Sequence, residues 1–364
     1  MSLATRTQSR HFLFFIIGVA FIGFLIFSSA SLGLLGGDGA NYNKIVWNQL
    51  LTFFLGLIAL LVFGRFPYRY WRKIALWLFI LSLLLTLLVF VPSLGFSFGG
   101  ASRWLSLGSR TFQPSELLKF GFVIYLAAWL ANIRERVTTW KSGFLPFLIF
   151  VGMTGIILIA QPDLGTFLTL FSAAVAMFFV AGASWRQIGA LILIATISFS
   201  IIIWIKPYAR ERVFTFFYPD KKTDSSSWQI RQSMIAIGSG GLTGRGFGQS
   251  LQKFNYLPQP IGDSIFAVAA EEFGFLGSTT LILAFTLFVV WGLRIAGRAP
   301  DCFGRLLVVG LTILMTTGAF INIGSMLGLF PLTGIPLLFV SHGGSALLFS
   351  MCGCGIILNV ARSL

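Results

Sequence analysis

The run FLFFIIGVAFIGFLIF, residues 12–27, contains only apolar residues and glycine and decides the fold. Similar runs of about 20 residues recur along the chain, and a run of that length spans the hydrocarbon core of a bilayer as an α-helix. The 364 residues are 56% hydrophobic and 10% charged, whereas soluble domains carry roughly 25% charged residues. The composition therefore excludes a water-soluble domain and predicts an integral membrane protein.

Ten such runs predict an all-α polytopic membrane protein that forms a single domain over residues 1–364. The first run follows Arg6 and Arg10 in the manner of a secretory signal, but an uncleaved span fits the multi-span remainder better. One long connection, residues 206–262, separates the seventh span from the eighth. The predicted spans are 12–35, 45–63, 74–92, 115–131, 144–160, 164–181, 188–205, 264–293, 303–330 and 336–360.

The basic residues predict the orientation of the spans. A net charge of +15 would suggest nucleic acid in a soluble protein, but here Lys and Arg lie between apolar runs, where they report topology. Alternate segments hold fourteen of them: Arg6, Arg10, Arg65, Arg69, Arg72, Lys73, Arg134, Arg136, Lys141, Arg186, Arg294, Arg298, Arg305 and Arg362. The other short segments hold three, Lys44, Arg103 and Arg110. We therefore expect both termini in the cytoplasm of a bacterium and the connection 206–262 outside its inner membrane.

The connection 206–262 differs in composition from the rest of the chain. It is rich in Lys and Arg and contains the run GSGGLTGRGFG, residues 238–248. A dinucleotide-binding glycine motif follows a β-strand, and no strand is predicted before this run, so the run is not read as such a motif. Residues 228–237 carry an apolar side and predict a short amphipathic helix at the membrane surface. Loops of this length are usually functional or disordered, and the connection is a candidate site.

Few acidic residues are present, so each can be considered as a candidate for chemistry. Asp263 precedes the eighth span, where it would act either as the N-cap of the helix or as a general base. Glu116 and Lys119 share one helix face and predict an ion pair within the outer leaflet. Glu271 and Glu272 predict a polar network inside the helix bundle. The full set of candidates is Glu116, Asp163, Asp263, Glu271 and Glu272.

Four stretches of the chain carry a resemblance to known proteins: GGASRWLSLGSRTFQPSELLKF at 99–120, QPDLGT at 161–166, RQSMIAIGSGGLTGRGFGQSLQKFNYLPQPIGDSIFAVAAEEFGFLG at 231–277 and GLFPLTGIPLLFVSHGGSALL at 328–348. Together they resemble one family, the shape, elongation, division and sporulation (SEDS) glycosyltransferases that include FtsW and RodA. The run GRGFGQSLQKFNYLP, residues 244–258, is more similar to the division members, FtsW, than to the elongation members, RodA.

The resemblance implies polymerisation of lipid II, the undecaprenyl-pyrophosphoryl disaccharide pentapeptide, on the outer face of the membrane. It places the essential aspartate at Asp263 and a loop tryptophan at Trp104, and it matches Glu116, Lys119 and Asp163 to other polar positions. This chain reads PQPIGD at 258–263 where the family commonly reads PEAHTD or PEQHTD. It also has SHGGSA at 341–346 where SYGGSS is usual. The resemblance further implies a class B penicillin-binding protein as partner within a division or elongation complex.

The mechanism expected from this resemblance needs one carboxylate. Pyrophosphate is a stable leaving group, so Asp263 alone can act as base on the acceptor hydroxyl, with inversion at the anomeric carbon. Cations, or a divalent ion such as Mg²⁺, would stabilise the leaving group, and no other cofactor is expected. The alternatives are a lipid II flippase and a non-catalytic scaffold for a transpeptidase. The candidate cations are Arg210, Arg212, Arg231, Arg245, Lys253 and Lys119.

Overall fold

A computed structural model describes residues 3–36, 42–98, 101–107, 110–218 and 225–364. Within these ranges, nine helices are long and apolar enough to cross a membrane, and Leu164–Val180 is a shorter apolar helix. Its 17 residues rise about 26 Å at 1.5 Å per residue, which is close to the thickness of the hydrocarbon core. The prediction of a polytopic helical membrane protein is confirmed.

The ten membrane helices correspond one to one to the ten predicted spans, and two further helices lie in the described part of the connection 206–262. The membrane helices are α1 (Leu3–Ser31), α2 (Tyr42–Phe63), α3 (Arg69–Leu87), α4 (Pro114–Asn132), α5 (Leu145–Ala160), α6 (Leu164–Val180), α7 (Trp185–Ile205), α10 (Ile265–Arg298), α11 (Cys302–Met326) and α12 (Gly344–Arg362). The connection contains α8 (Pro207–Phe217) and α9 (Ser225–Ser239), and α9 confirms the short helix predicted at 228–237.

Two features depart from a purely helical chain. A three-stranded antiparallel sheet in the order β1-β2-β3 joins α3 to α4. Its strands are β1 (Gly95–Phe98), β2 (Ala101–Leu107) and β3 (Arg110–Phe112). The last span begins at Gly344 rather than at residue 336, because Pro331, Gly334 and Pro336 keep the preceding apolar segment out of a helix. We call residues 331–343 the crossing segment, since it runs across the site described below.

The core of the bundle is built around α11. Most residues of α11 are buried, because this helix packs against α10, α6 and α4. Large apolar side chains elsewhere face outward, among them Trp77, Ile156 and Trp204. In water such exposure would be unfavourable, whereas in a bilayer these side chains contact lipid.

The helix α10 is broken at Gly274, where φ is +65°. Part of the connection 206–262 fills the break. The amides of Arg245 and Gly246 donate to the carbonyls of Glu271 and Glu272, each over 3.0 Å. In an unbroken helix those carbonyls would accept from residues 275 and 276.

The amides beyond the break are satisfied by the same loop. Phe275 N donates to Gly241 O over 2.9 Å, and Leu276 N donates to Leu242 O over 3.1 Å. A Cβ at Gly244, whose φ is +83°, would lie 2.1 Å from the Glu272 carbonyl oxygen, so only glycine allows this approach. The Gly-rich run is therefore the segment that repairs the break in α10.

The connections alternate between two ends of the bundle. At one end, Arg103 of the α3–α4 connection donates to the Pro162 carbonyl of the α5–α6 connection, and Arg212 donates to Leu332 of the crossing segment. At the other end, Tyr68 hydroxyl donates to Asp301 over 2.6 Å. We call the first of these the site end, because it carries the candidate residues.

Candidate active site

Asp263 lies between the connection 206–262 and the first residue of α10. Ser264, not Asp263, is the N-cap of this helix, and among the described residues no side chain caps its first turn. The N-cap interpretation of Asp263 is therefore wrong. Among the described residues none donates a hydrogen bond to the Asp263 carboxylate, which leaves both oxygens able to accept a proton.

Arg212 of α8 and Asp263 approach the same point of the crossing segment. A Cβ at Gly334 would lie 3.4 Å from Asp263 Oδ2 and 3.8 Å from Arg212 Nη2. Arg212 is held there by a 2.6 Å hydrogen bond from Nη1 to the Leu332 carbonyl and by stacking 4.4 Å above the Tyr208 ring. The guanidinium thus faces the carboxylate without occupying its oxygens.

Burial raises the pKa of Asp263 above its ordinary value, while the charges of Arg212 and Arg103 act to lower it. Burial also lowers the pKa of the Arg212 guanidinium, but a guanidinium stays protonated in proteins. Asp263 is therefore a carboxylate of raised basicity beside fixed positive charge. This combination suits a general base.

Arg103 of β2 is the second cation of the site. From the sequence it was used only to predict the orientation of the spans and not as a site residue. Its Nε donates to Gln161 O over 3.4 Å and its Nη2 donates to Pro162 O. Nη2 also lies 3.4 Å from the Tyr208 hydroxyl, and Nη1 lies 4.0 Å from Asp163 Oδ1. One guanidinium thus connects the α3–α4, α5–α6 and α7–α10 connections. Its place beside Trp104 in a resembling stretch was the available signal.

Asp163 caps α6, since its Oδ1 accepts from Thr166 N over 3.3 Å. Its Oδ2 is buried and has no hydrogen-bond partner among the described residues. Trp104 follows Arg103 in β2 and is half-buried, and in the described part of the chain its side chain makes no hydrogen bond to a site residue. Asp163 therefore belongs with Arg103, whereas Trp104 flanks the site.

The predicted ion pair between Glu116 and Lys119 is present, with Lys119 Nζ 2.8 Å from Glu116 Oε1. Glu116 is 3% exposed. Both side chains line a cavity of about 50 Å³ beneath the crossing segment. Their charges neutralise each other, so Lys119 is paired with Glu116 and does not offer a free cation to a substrate.

Lys253 is placed inside the protein, which corrects its expected role as a phosphate ligand. Its Nζ contacts Glu272 Oε1 at 2.8 Å, Gly248 O at 2.9 Å and Ser29 Oγ at 3.3 Å. The side chains of Lys253 and Glu272 are 0% and 1% exposed. Arg245 likewise pairs with Glu271, at 3.6 Å. The polar network predicted for the two glutamates is confirmed, and it binds the Gly-rich run to α10.

The remaining two candidate cations are not gathered around Asp263 by any contact of the described residues. Arg210 is exposed on α8. Arg231 of α9 is half-buried, and its Nε has no hydrogen-bond partner in the described part of the chain. The site consists of Asp263, Arg212, Arg103, Asp163 and Tyr208. It joins one free carboxylate to two guanidiniums, which suits proton abstraction beside an anionic leaving group.

Known proteins resemble this chain over most of its length. It is 38% identical to stage V sporulation protein E of Bacillus subtilis (strain 168), over 86% of each chain. It is also 38% identical to the probable peptidoglycan glycosyltransferase FtsW of Geobacter sp. (strain M18), over 86% of this chain and 85% of that protein. A chain from the solved structure of a peptidoglycan synthase complex, studied for how it coordinates polymerization and crosslinking, is 27% identical. It superposes with a TM-score of 0.79 over 97% of both chains.

The family profile agrees with these similarities and with the geometry of the helices. The profile of the FtsW/RodA/SpoVE group, described as cell cycle protein, matches residues 10–364. That range includes most of α1, the other nine membrane helices in full and every residue of the site. The chain belongs to the FtsW/RodA/SpoVE family.

Proposed function

We propose that this protein is a peptidoglycan glycosyltransferase that polymerises lipid II on the outer face of the cytoplasmic membrane. The observation that carries the proposal is the Asp263 carboxylate, which accepts no hydrogen bond from the described residues and faces Arg212. The name of its FtsW relative, a probable peptidoglycan glycosyltransferase, supports the same reaction.

Asp263 acts as the general base. It takes the proton from the 4-hydroxyl of the acceptor sugar while that oxygen attacks the anomeric carbon of the donor. Attack from the face opposite the pyrophosphate inverts the anomeric carbon and gives a β-linkage. The bond to the pyrophosphate breaks with its electron pair on the leaving oxygen, so one carboxylate suffices.

Arg212 and Arg103 stabilise the departing pyrophosphate. Their guanidiniums are fixed by backbone carbonyls at Leu332 and Pro162, so they need little reorganisation when charge develops. Guanidinium groups also match phosphate geometry through paired N–H donors. Of the cations expected from the sequence, Arg212 keeps this role in the proposal, and Arg103 joins it.

A divalent cation such as Mg²⁺ fits the same region. Asp163 Oδ2 is a buried carboxylate oxygen without a partner among the described residues, and Mg²⁺ is commonly held by one or two carboxylates together with substrate phosphates. Bound there, the ion would add positive charge against the pyrophosphate. Asp163 would hold the ion, while Asp263 keeps its role as base.

The cellular role we propose is division, as in FtsW, rather than elongation, as in RodA. The similarity to an FtsW of Geobacter supports it, while the equal identity to a stage V sporulation protein makes sporulation a second candidate. A structural relative of this chain belongs to a peptidoglycan synthase complex that coordinates polymerization and crosslinking. This supports a crosslinking transpeptidase as partner, which we propose is a class B penicillin-binding protein.

The orientation completes the proposal. All the site residues lie at one end of the bundle, and lipid II polymerisation requires that end to be outside. Both termini then lie in the cytoplasm, as the distribution of Lys and Arg predicts. A flippase would instead need polar groups along a path between both faces, whereas the buried charged side chains of the described residues lie in the half of the bundle at the site end: Glu116, Asp163, Lys253, Glu271 and Glu272.

The test is polymerisation of purified lipid II by the reconstituted wild type and by Asp263→Ala. The proposal predicts glycan strands from the wild type and none above background from the variant. A flippase would move labelled lipid II between leaflets without consuming it, and a scaffold would do neither. Either of those results would overturn the proposed function.

A further inference from the structure

The backbone that carries Asp263 is hydrogen-bonded at three consecutive carbonyls. The amide of His342 donates to Ile261 O over 2.7 Å. The hydroxyl of Ser341 donates to Gly262 O over 2.7 Å, and the side-chain amide of Asn322 donates to Asp263 O over 2.8 Å. All three donors come from α11 or from the crossing segment.

Two of these donors also fix the crossing segment. Asn322 Nδ2 makes a second hydrogen bond, to Ile335 O over 2.7 Å. Ser341 Oγ accepts from Leu337 N over 2.7 Å. Each side chain thus bridges the Asp263 backbone to the crossing segment. Both are buried, with Asn322 2% and Ser341 5% exposed, so water cannot readily replace these contacts.

The crossing segment also places the neighbouring cation. It supplies the Leu332 carbonyl that holds Arg212 and the Gly334 position that both charged side chains approach. The N-terminal half of α2 also contacts this segment, because Gln49 Oε1 lies 3.1 Å from His342 Nδ1. The crossing segment therefore positions both Asp263 and Arg212.

We propose that Asn322 and Ser341 are positioning residues, which aim the Asp263 carboxylate by fixing the carbonyls of residues 262 and 263. This inference rests on the proposed function, since it assigns these residues to the geometry of the same transfer. Neither side chain touches substrate. Each acts through the backbone, where a displacement of about 1 Å can lower a rate by 10²-fold.

The experiment compares Ser341→Ala with Ser341→Thr. Alanine removes the hydroxyl and both of its hydrogen bonds, whereas threonine keeps them. We expect Ser341→Ala to lower kcat for lipid II by at least tenfold with KM within twofold, and Ser341→Thr to restore most of the rate. The matched control is Ser82→Ala, because Ser82 is also fully buried but bonds only within α3, to Phe79 O.

A second pair of variants covers the case in which a Ser341 variant does not fold. Asn322→Leu removes the two bridging hydrogen bonds at nearly constant volume. Asn359→Leu is its control, since it removes two side-chain hydrogen bonds at the opposite end of the bundle, where Asn359 bridges Tyr68 N and Gly64 O. If positioning is correct, Asn322→Leu lowers kcat per folded molecule and Asn359→Leu lowers only thermal stability.

The outcomes separate the two proposals. Equal kcat for Asn322→Leu and Asn359→Leu, together with equal kcat for Ser341→Ala and Ser341→Thr, would overturn the positioning roles while the wild type still polymerises lipid II. Failure of the wild type itself to polymerise lipid II would overturn the proposed function instead. A rise in KM with unchanged kcat would also contradict positioning, because it would indicate direct substrate binding.

Discussion

The buried ion pair between Lys253 and Glu272 should stabilise the fold, and this expectation can be tested without measuring activity. Nζ and Oε1 are 2.8 Å apart, and the two side chains are 0% and 1% exposed. The change Lys253→Met keeps the length of the aliphatic stem but leaves Glu272 charged and without its cation. Ser29 Oγ and Ser250 N would remain as donors to that carboxylate.

Removing one partner of a buried pair typically costs about 3–5 kcal/mol, because the remaining charge is uncompensated. Each 1.4 kcal/mol is about a tenfold change in an equilibrium constant, so the folded population should fall by roughly two to three and a half decades relative to the unfolded one. The change Lys253→Met combined with Glu272→Gln removes both charges, and we expect it to recover most of the loss.

The assay is reversible unfolding in mixed detergent and SDS micelles, followed by tryptophan fluorescence. Arg69→Met is the control, because the Arg69–Asp301 pair at 3.4 Å lies at the surface, with the Arg69 side chain 71% exposed. We expect that control to change the free energy of unfolding little. A Lys253→Met protein as stable as the wild type, or a double variant no better than the single, would refute the reasoning.

Three further predictions concern the site and the orientation. In Arg212→Met the pKa of Asp263 should rise further, because burial already raises it and Arg212 opposes that rise. The single-turnover rate needs the ionised carboxylate, so as the pH falls the variant should lose this rate at a higher pH than the wild type does. If the variant loses its rate at the same pH or at a lower one, the result would argue against Asp263 as the base. Glu116→Gln should reduce activity or thermal stability in part, since it leaves Lys119 unpaired in the cavity; wild-type values after removal of both charges would exclude a supporting role. A cysteine introduced at Ser226 should react with an impermeant thiol reagent in intact cells, and labelling only after permeabilisation would reverse the proposed orientation.

The membrane helices could be predicted because each is a long apolar run, which is a local property of the sequence. The sheet between α3 and α4 was missed, since its strands hold four, seven and three residues and carry little periodic signal. The helix α8 was missed because Arg210, Glu211 and Arg212 gave its segment the composition of a loop. The predicted start of the last span was wrong because the crossing segment is apolar yet contains two prolines.

The candidate site was predictable only where a residue type was rare. With 11 acidic residues in the chain, Asp263 stood out. Arg103 did not, because its contact with Tyr208 joins positions 105 residues apart. Lys253 was assigned to substrate because its ion pair with Glu272 forms only where the connection 206–262 folds back onto the broken helix α10, and its contact with Ser29 involves the first helix. Contacts of that kind depend on how the helices pack, which a single sequence does not report.

The most direct test of the account is the rate of lipid II polymerisation by purified Asp263→Asn. Asparagine keeps the size of the side chain, and the backbone carbonyl that Asn322 holds is unchanged, so the variant should fold and bind lipid II as the wild type does. With no base, its turnover should fall by 10² or more. Asp263→Glu should also be severely slowed, because the added methylene displaces the oxygens by about 1 Å. An Asp263→Asn enzyme that makes glycan strands at close to the wild-type rate would contradict the central claim.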